Sequence, residues 1–122
     1  MAVRVDFTKA KGRGVFATRH FAKGELIERA PVHILPTWQW CHIEKTVLSS
    51  YGYLWGDEMA LTFGHFIFYN HSYSPNAQYV KRLDDRIIEM VALRDIEAGE
   101  EILANYNGDP EDDAPVWFEV ID

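Results

Sequence analysis

Tyr69-Asn70-His71-Ser72-Tyr73-Ser74-Pro75-Asn76-Ala77 is a dense polar stretch set between two apolar runs. Asn, Ser and Pro favour turns, because their side chains bond nearby backbone or fix φ. The nine residues before it, Ala60-Leu61-Thr62-Phe63-Gly64-His65-Phe66-Ile67-Phe68, include six apolar ones, so the loop should be anchored in the core. A polar loop held at a core edge is a common seat of function. An ordinary surface loop between strands is the other reading, and the stretch alone leaves both open.

Outward from this loop the chain reads as short strands and tight turns. Gln78 to Leu83 and Arg86 to Leu93 flank Asp84-Asp85, which predicts a hairpin with a two-residue turn. Ile87, Val91 and Leu93 alternate with Ile88, Met90 and Ala92, so both faces of the second strand are apolar and it should be covered. Tyr53 to Leu61 reads as a hairpin turning at Gly56-Asp57. Val3 to Phe7 alternates as a half-buried strand, Thr8 to Gly14 is a basic turn, and Val15 to Thr18 is a second strand. Leu26 to Leu35 is strand-like, with Pro31 marking an edge or bend. Ile102 to Tyr106 is the final strand, followed by the turn signal Asn107-Gly108. One helix is expected. Thr37 offers an N-cap, Trp40, Ile43, Val47 and Tyr51 share a face, and Gly52 ends it. Arg19 to Ile27 echoes Arg94 to Ile102: in each, an apolar anchor follows Arg by two residues, then Gly, then Glu. Both copies predict a tight turn at the glycine.

A chain of 122 residues with 48% hydrophobic and 14% aromatic content fits one mostly β domain over 1–122, with 109–122 as a tail. Twelve basic against nineteen acidic residues give a net charge of −7. That argues against a nucleic-acid module with its basic face. It suits a basic protein partner, and it equally serves solubility. No apolar run approaches the ~20 residues of a membrane span. Met1 to Asp6 lacks the apolar centre of a signal peptide, so an intracellular protein, cytoplasmic or nuclear, is expected. The single cysteine, Cys41, allows no intramolecular disulfide. The acidic segment Asp109 to Asp113 should be solvated, and Trp117-Phe118 should dock back on the body.

Three stretches, in order, carry a family resemblance. Asn70-His71-Ser72-x-x-Pro75-Asn76 resembles the signature of SET-domain protein lysine methyltransferases. Lys11-Gly12-Arg13-Gly14-Val15-Phe16-Ala17 resembles their first glycine motif. Gly99-Glu100-Glu101-Ile102-Leu103-Ala104-Asn105-Tyr106 resembles their closing Gly-Glu-Glu-Leu-x-x-x-Tyr motif. The resemblance covers roughly residues 3 to 108 and is greatest to the minimal SET proteins of viruses and bacteria. It implies a β-clip fold of several small curved sheets, with a C-terminal pseudoknot and one short helix.

The resemblance also implies a site. Lys11, Gly12, Arg13, Gly14, Asn70 and His71 would hold S-adenosyl-L-methionine, with Tyr106 beside them. Paired glycines allow close backbone approach, and the Asn amide carries both donor and acceptor. Read alone, Gly12-Arg13-Gly14 is an ordinary turn, His71 a buried histidine and Tyr106 a packed strand tyrosine. Methyl transfer needs amine, methyl and sulfur in line, and it needs a neutral lysine, under ~0.1% of the free side chain at pH 7. Tyr106 matches the tyrosine to which the family assigns this alignment. Tyr53, Tyr69, Trp117 and Phe118 would wall the lysine channel, with Tyr51, Trp55 and Phe68 as further aromatic candidates. No metal is expected. Longer members place Cys after Asn-His-Ser and use a Cys-rich tail to bind zinc, whereas this chain has Tyr73 there and no tail cysteine. Many members have Asp where Asn105 stands, and Ala104 leaves the number of methyl groups open. The implied partner is a lysine-bearing basic protein, histone-like or otherwise, with no direct nucleic acid and no membrane, and a homodimer is compatible. The alternative is a non-catalytic interaction module that keeps the fold.

Overall fold

The computed structural model describes residues 2–118 and Val120; Met1, Glu119, Ile121 and Asp122, the ends of the expected single domain, lie outside the described residues. Short, turn-punctuated apolar runs build three small sheets. β1 (Val3–Phe7) and β2 (Arg13–Ala17) form an antiparallel ribbon. β3 (Leu26–Pro31), β7 (Asn70–His71), β8 (Ala77–Arg82), β9 (Ile87–Ala92) and β10 (Leu103–Ala104) form a five-stranded sheet in the order β3-β9-β8-β10-β7. β4 (His33–Leu35), β5 (Tyr53–Trp55) and β6 (Glu58–Leu61) form the third, in the order β4-β6-β5. No helix among the described residues is long and apolar enough to cross a membrane.

The closing segment explains why the polar loop is anchored. β10 lies between β7 and β8 and runs parallel to both. The connection 72–76 therefore crosses over β10, so the chain end passes beneath the loop, a rare threading. Asn76 locks the crossing. Its backbone N–H bonds Leu103 O at 3.1 Å. Its side chain donates to Glu101 O at 2.8 Å and accepts from Leu103 N–H at 2.8 Å. Asn76 is 2% exposed, so each of these bonds satisfies a group that water does not reach.

The repeated pattern adopts the same structure twice. Arg19 pairs with Glu25 at 2.6 Å and Arg94 with Glu100 at 3.2 Å. Gly24 and Gly99 both take positive φ, +85° and +93°, as a turn requiring glycine should. The anchors Phe21 and Ile96, both fully buried, exchange backbone hydrogen bonds of 2.8 Å in each direction. The two copies thus pair with each other across the core, which Val15, Phe21, Ile88, Met90, Ile96 and Ile102 fill.

Four expectations about local structure are corrected. The β8–β9 connection is Leu83 to Arg86, four residues, since Arg82 pairs with Ile87. The favoured two-residue turns need positive φ at the first central position or at both; neither Asp84 nor Asp85 takes it, and Arg86 does, at +55°. The helix runs Thr37–Ile43 with Pro36, not Thr37, at the cap, and no side-chain capping bond forms. It does not reach Gly52, because Thr46 Oγ1 donates to Ile43 O and accepts from Leu48 N–H, opening a separate 3-10 turn at Val47–Tyr51. Such hydroxyl bonds to backbone compete with helix. The 26–35 strand divides at Val32, whose N–H bonds Arg86 O. The final strand is only two residues long, because Ile102 N–H bonds Val15 O and Tyr106 N–H turns to His71.

Candidate functional site

A cavity of ≈ 460 Å³ opens where the β1–β2 turn, the Asn-His stretch, the 50–53 segment and the tail meet. That volume suits a small-molecule site. Its lining brings together Lys11, Asn70, His71, Tyr53, Tyr69, Tyr106, Trp117 and Phe118 among the expected residues. Tyr51, Phe66, Ile67 and Tyr79 line it too. Gly12, Arg13 and Gly14 are not part of the lining. Two aromatic candidates also fall elsewhere. Trp55 is in the core, its Nε1 donating to Leu83 O at 3.3 Å. Phe68 sits under the Arg13 guanidinium, 5.0 Å from its ring centre.

The two glycines of the turn differ in what surrounds them. Gly12 takes φ +69° and has open space where a Cβ would be. Gly14 is different. A Cβ there would stand 2.9 Å from Asn70 Nδ2 and close on Glu101 Oε2. The missing side chain admits the Asn70–Glu101 pair against β2. Asn70 Nδ2 donates to Glu101 Oε2 at 2.7 Å and to Arg13 O at 3.1 Å. One amide therefore ties the first glycine motif, the central loop and the closing motif together.

Tyr106 is held at three points. Its N–H donates to His71 Nδ1 at 2.9 Å. Its hydroxyl donates to Tyr69 O at 2.5 Å. Its ring lies 5.2 Å from that of His71 and stacks on Trp117 at 5.7 Å. Burial, with the nearby Tyr51 and Glu101, pushes the Tyr106 phenol up to about 12, so it stays neutral at any physiological pH. Burial raises Tyr53, Tyr69 and Tyr79 as well, giving an inner wall of neutral phenols. Tyr53 and Tyr79 pack edge to face at 5.4 Å.

Three residues that sequence reasoning did not single out support this wall. Tyr79 faces the cavity from β8. Glu101 anchors Asn70; its place in the Gly-Glu-Glu motif was the available signal. Glu28, 7% exposed, accepts from the Tyr69 hydroxyl at 2.6 Å and meets His65 Nδ1 at 3.2 Å. A register shift between Leu26 and Glu28 precedes it, the kind of bulge that re-aims a side chain. Nothing in the local sequence announces a buried carboxylate there. Among the described residues no group of His, Cys, Asp and Glu is placed to hold a metal ion.

Comparison with known proteins gives a consistent result. The SET domain family matches residues 12–107. A Schizosaccharomyces pombe histone-lysine N-methyltransferase specific for H3 lysine-37 is 33% identical over 114 residues, spanning 92% of this chain and 74% of that protein. The crystal structure of a candidate histone methyltransferase of Plasmodium falciparum superposes with a TM-score of 0.68 at 25% identity, covering 86% of this chain and 92% of the other.

Proposed function

This chain belongs to the SET-domain family, and from that premise we propose that it transfers methyl groups from S-adenosyl-L-methionine to the side-chain amine of lysine in a basic protein. The observation that carries the proposal is the seating of Tyr106: a neutral phenol facing an aromatic cavity, fixed to both His71 and Tyr69. The cavity also fits the cofactor chemically. Lys11 at its edge offers a cation for a carboxylate, Asn70 and His71 offer polar groups, and Trp117 and Phe118 offer flat surfaces. The cofactor, when bound, supplies an electrophilic methyl group on a sulfonium.

The chain's own residues do the rest. The walls of Tyr53, Tyr69 and Tyr79 exclude water from an entering lysine side chain, and desolvation lowers an amine's pKa toward the neutral, nucleophilic form. The Tyr106 hydroxyl donates to Tyr69 O, which leaves its oxygen as an acceptor for the amine N–H. Orienting the amine in this way is the catalytic task, since in-line displacement depends on alignment. A net charge of −7 favours encounter with lysine-rich partners. A histone-like substrate, as for the fission-yeast relative, would place the work in the nucleus. The proposal includes a homodimer, motivated by the exposed Trp38; a monomeric mass in sedimentation would remove that part.

Calorimetric titration of S-adenosyl-L-methionine tests the reading, with Lys11→Ala and Asn70→Ala alongside. Saturable binding weakened about tenfold or more in both variants is expected. Absence of binding to the folded wild type would leave a non-catalytic module with this fold.

A further inference from the structure

The tail reaches the cavity by a polar route. Tyr73 and Asn107 converge on one carbonyl: the Tyr73 hydroxyl donates to Ala114 O at 3.0 Å, and Asn107 Nδ2 donates to the same oxygen at 2.8 Å. Asn105, 2% exposed, donates to Asp112 O at 2.6 Å and accepts from Asn107 N–H at 3.0 Å. The tail braces itself between these points, with Ala114 N–H on Asp112 Oδ1 at 2.8 Å. Three residues further on, Trp117 stacks on Tyr106, and Phe118 meets the rings of Tyr106 and His71 edge to face at 5.8 and 6.0 Å. Tyr73 itself packs perpendicular to His71 at 4.5 Å.

We propose that Tyr73, Asn105 and Asn107 form a metal-independent clamp that positions Trp117 and Phe118 as the roof of the cavity. They are positioning residues, acting on a bound ligand only through the tail. Aromatic packing alone holds this roof weakly, since Trp117 remains 65% exposed and Phe118 41%. Two donors on one carbonyl fix the direction from which the chain approaches, which ring stacking does not. The outer part of Trp117 stays open to solvent, so its place over Tyr106 depends on where residues 112–114 are held. The one cysteine of this sequence, Cys41, lies on the helix Thr37–Ile43 and not at this closure, and among the described residues no group is placed to hold a metal ion here. The consequence for ligand binding rests on the methyltransferase reading; the clamp itself does not.

The test separates the two. Protein labelled with 5-fluorotryptophan gives four fluorine resonances, and Trp117→Phe assigns the one from the tail. In Tyr73→Phe/Asn107→Ala that resonance should move toward the position of exposed tryptophan, while those of Trp38, Trp40 and Trp55 stay in place. EDTA should shift none of them. The same double variant should bind S-adenosyl-L-methionine about tenfold more weakly, as expected when two ordinary hydrogen bonds are lost. The single variants should show effects smaller than additive, because both donors serve one acceptor. An unmoved Trp117 resonance, or one displaced by EDTA, overturns the clamp. A displaced resonance with unchanged affinity overturns its positioning role. Failure of the wild type to bind the cofactor counts against the methyltransferase reading and leaves the fluorine result to decide the clamp.

Discussion

Replacing Gly14 with alanine should destabilise the protein by about 2 kcal/mol and weaken cofactor binding, although alanine is ordinarily a mild substitution. The new Cβ would come within 2.9 Å of Asn70 Nδ2, within 3.0 Å of Thr8 Cγ2, and closest of all to Glu101 Oε2. The two polar atoms are side-chain tips and can swing aside, so the cost is that of the bonds they give up. The Asn70–Glu101 bond is charge-assisted and part-buried, about 1.5–2 kcal/mol, and the Asn70–Arg13 bond adds about 0.5–1 kcal/mol. The loss of glycine freedom in the unfolded chain returns about 0.4–1 kcal/mol. Urea unfolding followed by tryptophan fluorescence reads the difference, with an unchanged slope marking a change in stability alone. Gly12→Ala is the control: no atom lies near its Cβ, and only the φ of +69° opposes it, about 1 kcal/mol. In a Glu101→Ala background the Gly14 substitution should cost at least about 1 kcal/mol less. A Gly14→Ala protein within about 0.5 kcal/mol of wild type, or costs that simply add with Glu101→Ala, would refute the view that Gly14 exists to admit this pair.

Tyr69→Phe should cost about 1–3 kcal/mol in the same assay, because it leaves the buried Glu28 carboxyl without its 2.6 Å donor; a neutral result would deny that pairing any weight. Arg29 first, and then Arg82, hold the Glu89 carboxyl below its usual range. Its contribution is therefore present above the unfolded value of about 4.5 and is lost as pH falls through the lower folded value, so Glu89→Gln should flatten the acid limb of a stability–pH curve. Tyr106 runs the other way. Its folded pKa is raised, so its contribution is complete below pH ~10 and is lost as pH rises through about 12; a spectrophotometric tyrosine titration should lose one late phenol in Tyr106→Phe.

Much of the site was legible because its chemistry is local. Asn70, His71 and Tyr106 lie in short motifs whose spacing survives without knowledge of the fold, and the glycine turns at Gly24 and Gly99 announce themselves through the one residue that tolerates their φ. The recurrence of Arg, apolar anchor, Gly and Glu was visible too, whereas the Arg19–Glu25 and Arg94–Glu100 pairing came only with the structure. Other features depend on partners distant in sequence. The shortness of β10 follows from Tyr106 N–H turning to His71, thirty-five positions earlier. Glu28 is buried because Tyr69 and His65 meet it, and no periodicity encodes that meeting. The helix boundary was missed because the apolar spacing through Val47 and Tyr51 persists across a break made by one threonine hydroxyl. Threading of the chain end beneath 72–76 is a property of sheet order, and the family resemblance, rather than pattern, foretold it.

In the proposed reaction Tyr106 orients a lysine amine for methylation. Transfer of labelled methyl from S-adenosyl-L-methionine to a lysine-rich protein such as a core histone tests it most directly, with mass spectrometry locating the product and Tyr106→Phe compared with wild type. Methyl-lysine is expected with the wild type, and a fall of about a hundredfold or more in kcat for the variant with cofactor affinity nearly unchanged. Equal turnover by both proteins, or methyl groups on a residue other than lysine, would contradict it.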